Sequence, residues 1–207
     1  MRKRSVYKKT ISIVNETPME MYENLVGKKK GFLLESYDKN YDRYTFFGAE
    51  PEEIITSRGN ALVITAADGT ETIREGNPLE LLKEYYSDFE IVKDADGIHF
   101  LGGLVGNLGY DFVRYTEQLP DDNPDEIGIE TIQMMLMTHF VMVDHVAETL
   151  TAVALEADDE DGRKAAEQAI EKMIEAVRTK TKKTQKPALI HDGRIVKKSD
   201  TQEQYSS

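Results

Sequence analysis

The sequence predicts an α+β fold with largely antiparallel β-sheet layers and flanking helices. Short strand patterns follow one another through turns at Asp68-Gly69 and at 144–148, and an Asp-Gly step is a strong β-hairpin signal. Helical patterns occur at three places before residue 180 and do not alternate regularly with the strands. Hairpins without that alternation are typical of antiparallel sheets that carry helices on one side.

The first half of the chain opens with an alternating strand over 6–14. Thr17 then caps a helix that starts at Pro18, and Glu20 completes a capping-box pattern. Asn77 caps a second helix. Between the two helices, strands are predicted at 32–36, 43–48, 53–57, 61–66 and 71–74.

The second half starts with an acidic linker over 88–97, followed by a glycine-rich segment over 99–111. Its glycines lack the spacing and the lysine of a phosphate-binding loop, so they indicate a strand that another backbone approaches closely. Strands at 134–143 and 150–155 then form a long hairpin, and 160–178 has the pattern of an amphipathic helix.

The chain is predicted to divide near residue 180. Residues 1–179 form one domain, and 180–207 are a basic linker and the start of a further, truncated domain. Asp200 and Glu203 carry this expectation, because they make a capping-box pattern and no apolar helix follows them.

Composition excludes several classes of protein. The 207 residues include no cysteine, and the formal net charge is −12. No run approaches the roughly 20 apolar residues of a membrane span, and no signal-peptide core follows the basic start at 1–4, so we expect a cytoplasmic protein without a membrane segment. The acidic excess lies in 31–177, which disfavours nucleic acid as a partner.

The titratable residues form no obvious catalytic centre. The four histidines show no metal-ligand spacing, and the paired carboxylates lie in polar loops where solvent keeps them ordinary. We therefore expect no metal and no catalytic residue in this chain.

Residues 33–36 form a more informative cluster, because a carboxylate and a hydroxyl end an otherwise apolar strand. Strand alternation places Leu34 and Ser36 on one face and Glu35 on the other. Arg43 begins the neighbouring strand. Such a group suits a zwitterionic ligand, and the alternative is an internal Glu35–Arg43 ion pair.

Three blocks of sequence are specific when they are taken together. They are 32–36 with 43–48, 102–114 with 117–120, and 143–146. In this order they resemble the N-terminal region of the anthranilate synthase component I family, and the resemblance spans roughly residues 10–157. It implies the fold of the N-terminal half of that family's α/β sandwich.

The resemblance implies an enzyme, a lyase, that converts chorismate to anthranilate at the first committed step of tryptophan synthesis. Its ammonia comes from a glutamine amidotransferase subunit, component II. The family's chorismate and Mg²⁺ residues lie in a C-terminal chorismate-binding domain. That domain is absent from this chain, so the chain alone is expected to hold no cofactor and to be inactive.

The resemblance also gives the residues 33–43 a role in feedback inhibition, with tryptophan as the regulatory ligand. The family's Leu-Glu-Ser motif carries over to Leu34, Glu35 and Ser36, and its basic position on the next strand carries over to Arg43. Asn107 departs from the family, which usually has an aromatic residue there.

Three alternatives remain open at this point. The N-terminal domain of the aminodeoxychorismate synthase large subunit shares the glycine-rich block, although the intact 33–36 motif favours anthranilate synthase. A free-standing module that binds an amino acid would use the same residues. An acidic interaction domain could dock a partner through its basic ends.

Overall fold

The computed structural model of the protein describes residues 1–13, 17–35, 43–92, 100–119 and 128–179. This part of the chain forms eleven strands, three α-helices and a 3-10 helix. The strands are β1 Arg2–Ser12, β2 Gly31–Leu34, β3 Tyr44–Ala49, β4 Glu53–Ser57, β5 Ala61–Ala66, β6 Glu71–Glu75, β7 Phe89–Val92, β8 Gly103–Leu108, β9 Ile132–Met137, β10 His139–Asp144 and β11 Thr149–Glu156. The helices are α1 Pro18–Leu25, α2 Pro78–Ser87, α3 Glu160–Arg178 and the 3-10 helix Tyr110–Tyr115.

The strands form two sheets. The larger sheet has the order β2-β3-β10-β11-β1-β7, and the smaller sheet has the order β6-β5-β4-β9-β8. Neighbouring strands in the described residues pair antiparallel, except that β1 and β7 are parallel. The predicted α+β fold with largely antiparallel layers is therefore confirmed.

The core lies on both faces of the larger sheet. On the outer face, α1 and α3 bury apolar side chains against the sheet, among them Met21 and Ile170 against Phe47. On the inner face, Phe140 of the larger sheet packs with Met137 of the smaller sheet. The larger sheet is therefore a central layer, with α1 and α3 on one side and the smaller sheet, against which α2 packs, on the other.

The local signals at the helix starts are confirmed. The Thr17 hydroxyl accepts a hydrogen bond from the backbone N–H of Glu20, and the Glu20 carboxylate accepts one from the N–H of Thr17, which completes the capping box. The Asn77 side-chain oxygen accepts from the N–H groups of Leu79 and Glu80 at the start of α2.

The central part of the glycine-rich segment is the predicted strand, β8 at Gly103–Leu108, and a backbone does approach it closely. A Cβ at Gly106 would lie 2.0 Å from the carbonyl oxygen of Gln133 on β9. That distance is far below van der Waals contact, so only glycine fits at this position of the β8–β9 pair.

The prediction of a single strand over 134–143 is wrong. Its residues belong to two strands, β9 in the smaller sheet and β10 in the larger sheet, with Thr138 between them. The Thr138 carbonyl accepts a hydrogen bond from the N–H of Leu155, at the point where the chain passes between the sheets. The apolar pattern runs through this crossing without a break, so it gives no sign that the chain changes sheets.

The prediction of an acidic linker over 88–97 is also wrong at its start. Phe89–Val92 forms β7, an edge strand parallel to β1. Phe89 is buried with Leu82 and Tyr85 of α2, and this packing outweighs the polar character of the flanking sequence. Residues 93–99 lie outside the described residues, as do Ser36, 120–127 and 180–207 with the predicted linker and truncated domain.

None of the helices in the described ranges is long and apolar enough to cross a membrane.

Candidate functional site

The inner face of the larger sheet carries an exposed apolar row at its β2–β3 end. Leu34 pairs with Phe46 across the two strands, and Tyr44 follows two residues from Phe46 on the same face. Phe32, two residues before Leu34, faces the smaller sheet, so this whole row lies on the inner face. Leu34 is 47% exposed there.

Aromatic rings connect this row to the buried core. The Tyr44 and Phe46 ring centroids are 6.0 Å apart, and those of Phe46 and Phe100 are 5.4 Å apart. Phe100 in turn lies 4.9 Å from Phe140. Each spacing is within the range at which aromatic rings attract each other, so the row has a rigid apolar floor.

Arg43 ends the row with a positive charge. Its Nε donates to Asp144 Oδ1 at 2.9 Å and its Nη2 donates to Oδ2 at 2.7 Å, a bidentate pair. The register places Asp144 opposite Tyr44, and the guanidinium carbon lies 5.2 Å from the Tyr44 ring centroid. The cation is therefore fixed at the end of the apolar row.

The turn after β10 holds the Asp144 carboxylate in place. Asp144 Oδ1 accepts hydrogen bonds from the backbone N–H groups of Val146 and Ala147, both at 3.0 Å. The Arg43 guanidinium and these two N–H groups hold the pKa of Asp144 at about 2, against the opposing effect of burial. The group thus stays ionised at any physiological pH.

A second link joins the same turn to β3. The Thr45 Oγ1 and His145 Nε2 atoms are 2.8 Å apart, and the His145 N–H donates to the Arg43 carbonyl at 2.9 Å. Thr45 is fully buried on the outer face. The start of β3 is therefore held from both faces of the sheet.

The structure describes three of the four predicted ligand residues. Leu34 and Arg43 belong to one row through Phe46 and Tyr44. Glu35 is exposed, one residue past the end of β2, and Ser36 lies outside the described residues.

The alternative of a Glu35–Arg43 ion pair is wrong, because the Arg43 guanidinium pairs with Asp144. Sequence reasoning missed Asp144, which lies 101 positions from Arg43. The available signal was an acidic residue at the start of a predicted hairpin turn, where Asp side chains commonly accept backbone hydrogen bonds.

The other parts of the described chain have fewer features that could form a binding site. No group of three or more His, Asp or Glu side chains that could hold a metal ion occurs in those residues. Shallow surface depressions lie along the exposed side of α3, lined by carboxylates such as Glu167, Glu171 and Glu175. They are on the helix layer, across the larger sheet from Leu34.

The fold and this row define a two-sheet α+β domain with an exposed apolar and cationic surface on an inner sheet face. The chain belongs to the chorismate binding enzyme family, whose model matches residues 30–207. It is similar to anthranilate synthase component 1 of Acetivibrio thermocellus, with 29% identity over 137 residues, 65% of this chain and 28% of that protein. The same enzyme component of Mycolicibacterium smegmatis is 33% identical over 145 residues, 68% of this chain and 27% of that protein.

A solved structure supports the fold. The crystal structure of anthranilate synthase component I from Streptococcus pneumoniae TIGR4 matches with a TM-score of 0.53 and 23% identity, over 80% of this chain and 35% of that chain. The resemblance inferred from the sequence blocks is thus confirmed. The chain spans less than a third of the length of the two curated relatives and about a third of the solved chain.

Proposed function

We propose that this chain is the N-terminal regulatory and scaffold portion of an anthranilate synthase component I, a lyase of tryptophan synthesis in the cytoplasm. Leu34, Glu35, Ser36 and Arg43 contribute to its tryptophan feedback site. The observation that supports the proposal is the exposed row from Leu34 through Phe46 and Tyr44 to Arg43.

The row has the chemistry that a tryptophan molecule requires. An indole ring would pack on Leu34 and Phe46, and the Arg43 guanidinium would take the carboxylate. Arg43 lies three residues from Phe46, which is about 10 Å along a strand and comparable to the length of an extended tryptophan. The ammonium group would find acceptors at Ser36 or at the carbonyls near Glu35.

Catalysis is assigned to a part of the enzyme outside this chain. The relatives are more than three times as long as the segment they share with it, which leaves room for a C-terminal chorismate-binding domain. In this proposal that domain holds chorismate and Mg²⁺, a glutamine amidotransferase subunit supplies ammonia, and the 207-residue chain alone is inactive.

The binding half of the proposal is tested by titrating the ¹⁵N-labelled chain with tryptophan and following the backbone amides of β2 and β3. Saturable shifts at Leu34 and Phe46 are expected, with weak affinity, because in this proposal the site is shared with the C-terminal chorismate-binding domain. Leu34→Ala should lower the affinity about tenfold, since it removes most of an apolar contact.

Ile73→Ala is the matched control for that experiment. Ile73 is 53% exposed on the edge strand β6 of the smaller sheet, so its truncation removes a comparable apolar surface away from the row. Equal losses of tryptophan affinity in Leu34→Ala and Ile73→Ala would contradict the proposed tryptophan site. The absence of a saturable shift in the wild-type chain would contradict it as well.

The catalytic half is tested by anthranilate fluorescence with chorismate, ammonia and Mg²⁺. No turnover is expected from the 207-residue chain. Turnover should appear when the chain is extended by the C-terminal portion of a family member. Activity of the unextended chain would contradict the proposal that catalysis belongs to the C-terminal domain.

A further inference from the structure

The Asp144 carboxylate occupies one edge of the Arg43 guanidinium, and within the described residues no hydrogen bond to the other edge is found. Its two oxygens take the Nε and Nη2 hydrogens on one side. The second Nη2 hydrogen and the Nη1 group make up the opposite edge, which has the fork geometry that carboxylates prefer. The Asp144 side chain is 10% exposed and that of Arg43 is 50% exposed, so the protein lies on the Asp144 side of the pair.

Asp144 is itself anchored by the main chain. The N–H groups of Val146 and Ala147 bind its Oδ1, and the N–H of His145 binds the carbonyl of Arg43. A single turn therefore fixes both the backbone and the side chain of Arg43. An arginine with this support loses little conformational freedom when a ligand binds, and such preorganisation raises affinity.

We infer that Asp144 is a positioning residue for the ligand carboxylate: it orients the Arg43 guanidinium so that the Nη1–Nη2 edge is presented at the end of the Leu34 row. This inference rests on the proposed tryptophan site and adds the residue that sets its selectivity for α-carboxylates. Asp144 does not touch the ligand and acts through Arg43.

Two effects of opposite sign follow from the Asp144 charge. Its negative charge repels a ligand carboxylate through the guanidinium, and its geometry holds that guanidinium in the productive orientation. The main-chain N–H groups of Val146 and Ala147 offset part of the Asp144 charge, which weakens the repulsion. Without the pair to Asp144, the Arg43 side chain would rotate and lose its orientation. We expect positioning to outweigh repulsion, so that removal of the charge weakens binding.

The test compares tryptophan with tryptamine, which lacks the carboxylate, on the wild-type chain and on Asp144→Asn. Asparagine can still accept the turn N–H bonds through its side-chain oxygen but cannot form the charged bidentate pair. The variant should lower tryptophan affinity about tenfold and leave tryptamine affinity within about twofold of wild type. In the same samples, the Arg43 Nε–H signal should broaden through faster solvent exchange.

Two further variants keep the result interpretable if Asp144→Asn folds poorly. Asp144→Glu retains the charge with one more methylene group and should restore part of the tryptophan preference. Asp111→Asn is the matched control, because it breaks an exposed Arg–carboxylate pair, Asp111–Arg114, outside the row, and should change neither affinity.

The outcomes separate the two claims. A wild-type chain that binds tryptophan and tryptamine equally contradicts Arg43 as a carboxylate site, and this inference then fails with the proposed function. A wild-type preference for tryptophan that survives in Asp144→Asn, or increases there, overturns the inference alone. Equal losses for both ligands would show a structural role only and overturn it as well.

Discussion

The guanidinium of Arg2 on β1 lies 2.7 Å from Glu53 Oε2 on β4, and this ion pair joins the larger sheet to the smaller one. The Tyr85 hydroxyl donates to the same carboxylate oxygen, and its ring lies 4.7 Å below the Arg2 guanidinium carbon. Burial alone would raise the pKa of Glu53, but the hydrogen bonds from Tyr85 and Arg2 lower it.

We expect Glu53→Gln to lower the free energy of unfolding by about 1–2 kcal/mol, because it leaves Arg2 without its countercharge in a half-buried site. Urea unfolding followed by circular dichroism measures the loss. Glu71→Gln is the control, since its pair with Arg58 spans 3.7 Å at the surface and should contribute almost nothing. Equal effects in the two variants would contradict an inter-sheet role for Glu53.

The stability of the protein should decrease at acidic pH because Asp144 becomes protonated. Its pKa falls from the usual 3.8 to about 2 on folding, so the carboxylate contributes stability that is fully present above pH 3.8 and is lost as the pH falls toward 2. The melting temperature should therefore fall less steeply between pH 5 and pH 2 in Asp144→Asn than in wild type. Parallel curves for the two proteins would rule out a depressed pKa at this position.

Gly106→Ala should destabilise the smaller sheet by about 2–3 kcal/mol, because the new methyl group collides with the Gln133 carbonyl. Gly109→Ala is a close control in the same segment: its backbone φ is −63°, and the nearest atom to a Cβ there is 3.5 Å away. Chemical unfolding of both variants gives the comparison. A tolerated alanine at position 106 would mean that β8 and β9 are not as close as described.

Asn77 has two separable functions at the start of α2. Its Oδ1 caps the helix, and its Nδ2 donates to the Tyr115 carbonyl at 2.7 Å, which ties the 3-10 helix to α2. Asn77→Asp should keep the helix cap and lose the hydrogen bond to Tyr115, which should lower the free energy of unfolding by about 1 kcal/mol. Asn77→Ala removes both interactions and should lower it by about 2 kcal/mol. A lower melting temperature for Asn77→Asp than for Asn77→Ala would contradict this assignment.

The sequence was sufficient for those parts of the fold that depend on neighbouring residues. Thr17 with Glu20, Asn77 and Asp68-Gly69 each set a backbone conformation within a few residues, and all three are where the patterns placed them. The crossing at Thr138 could not be predicted in this way. Its cause is the pairing of β9 and β10 with strands distant in sequence, which local hydrophobicity does not record.

The same limit applies to the candidate site. Residues 33–36 and Arg43 were identified because polar groups at the end of an apolar strand require partners. The strand pattern instead pairs Arg43 with Glu35, the carboxylate at the end of the preceding predicted strand. Asp144 is closer in space because β10 pairs with β3, and only the sheet order reveals that neighbour.

The position of β1 in the larger sheet has a consequence for synthesis of the protein. Residues 2–12 leave the ribosome well before their antiparallel partner β11, which ends at Glu156. At typical translation rates this strand waits on the order of 10 s for that partner, with its edge open to other chains. β1 can therefore complete its antiparallel pairing only after β11 has been synthesised, and nascent chains halted before residue 149 should require a chaperone to stay soluble.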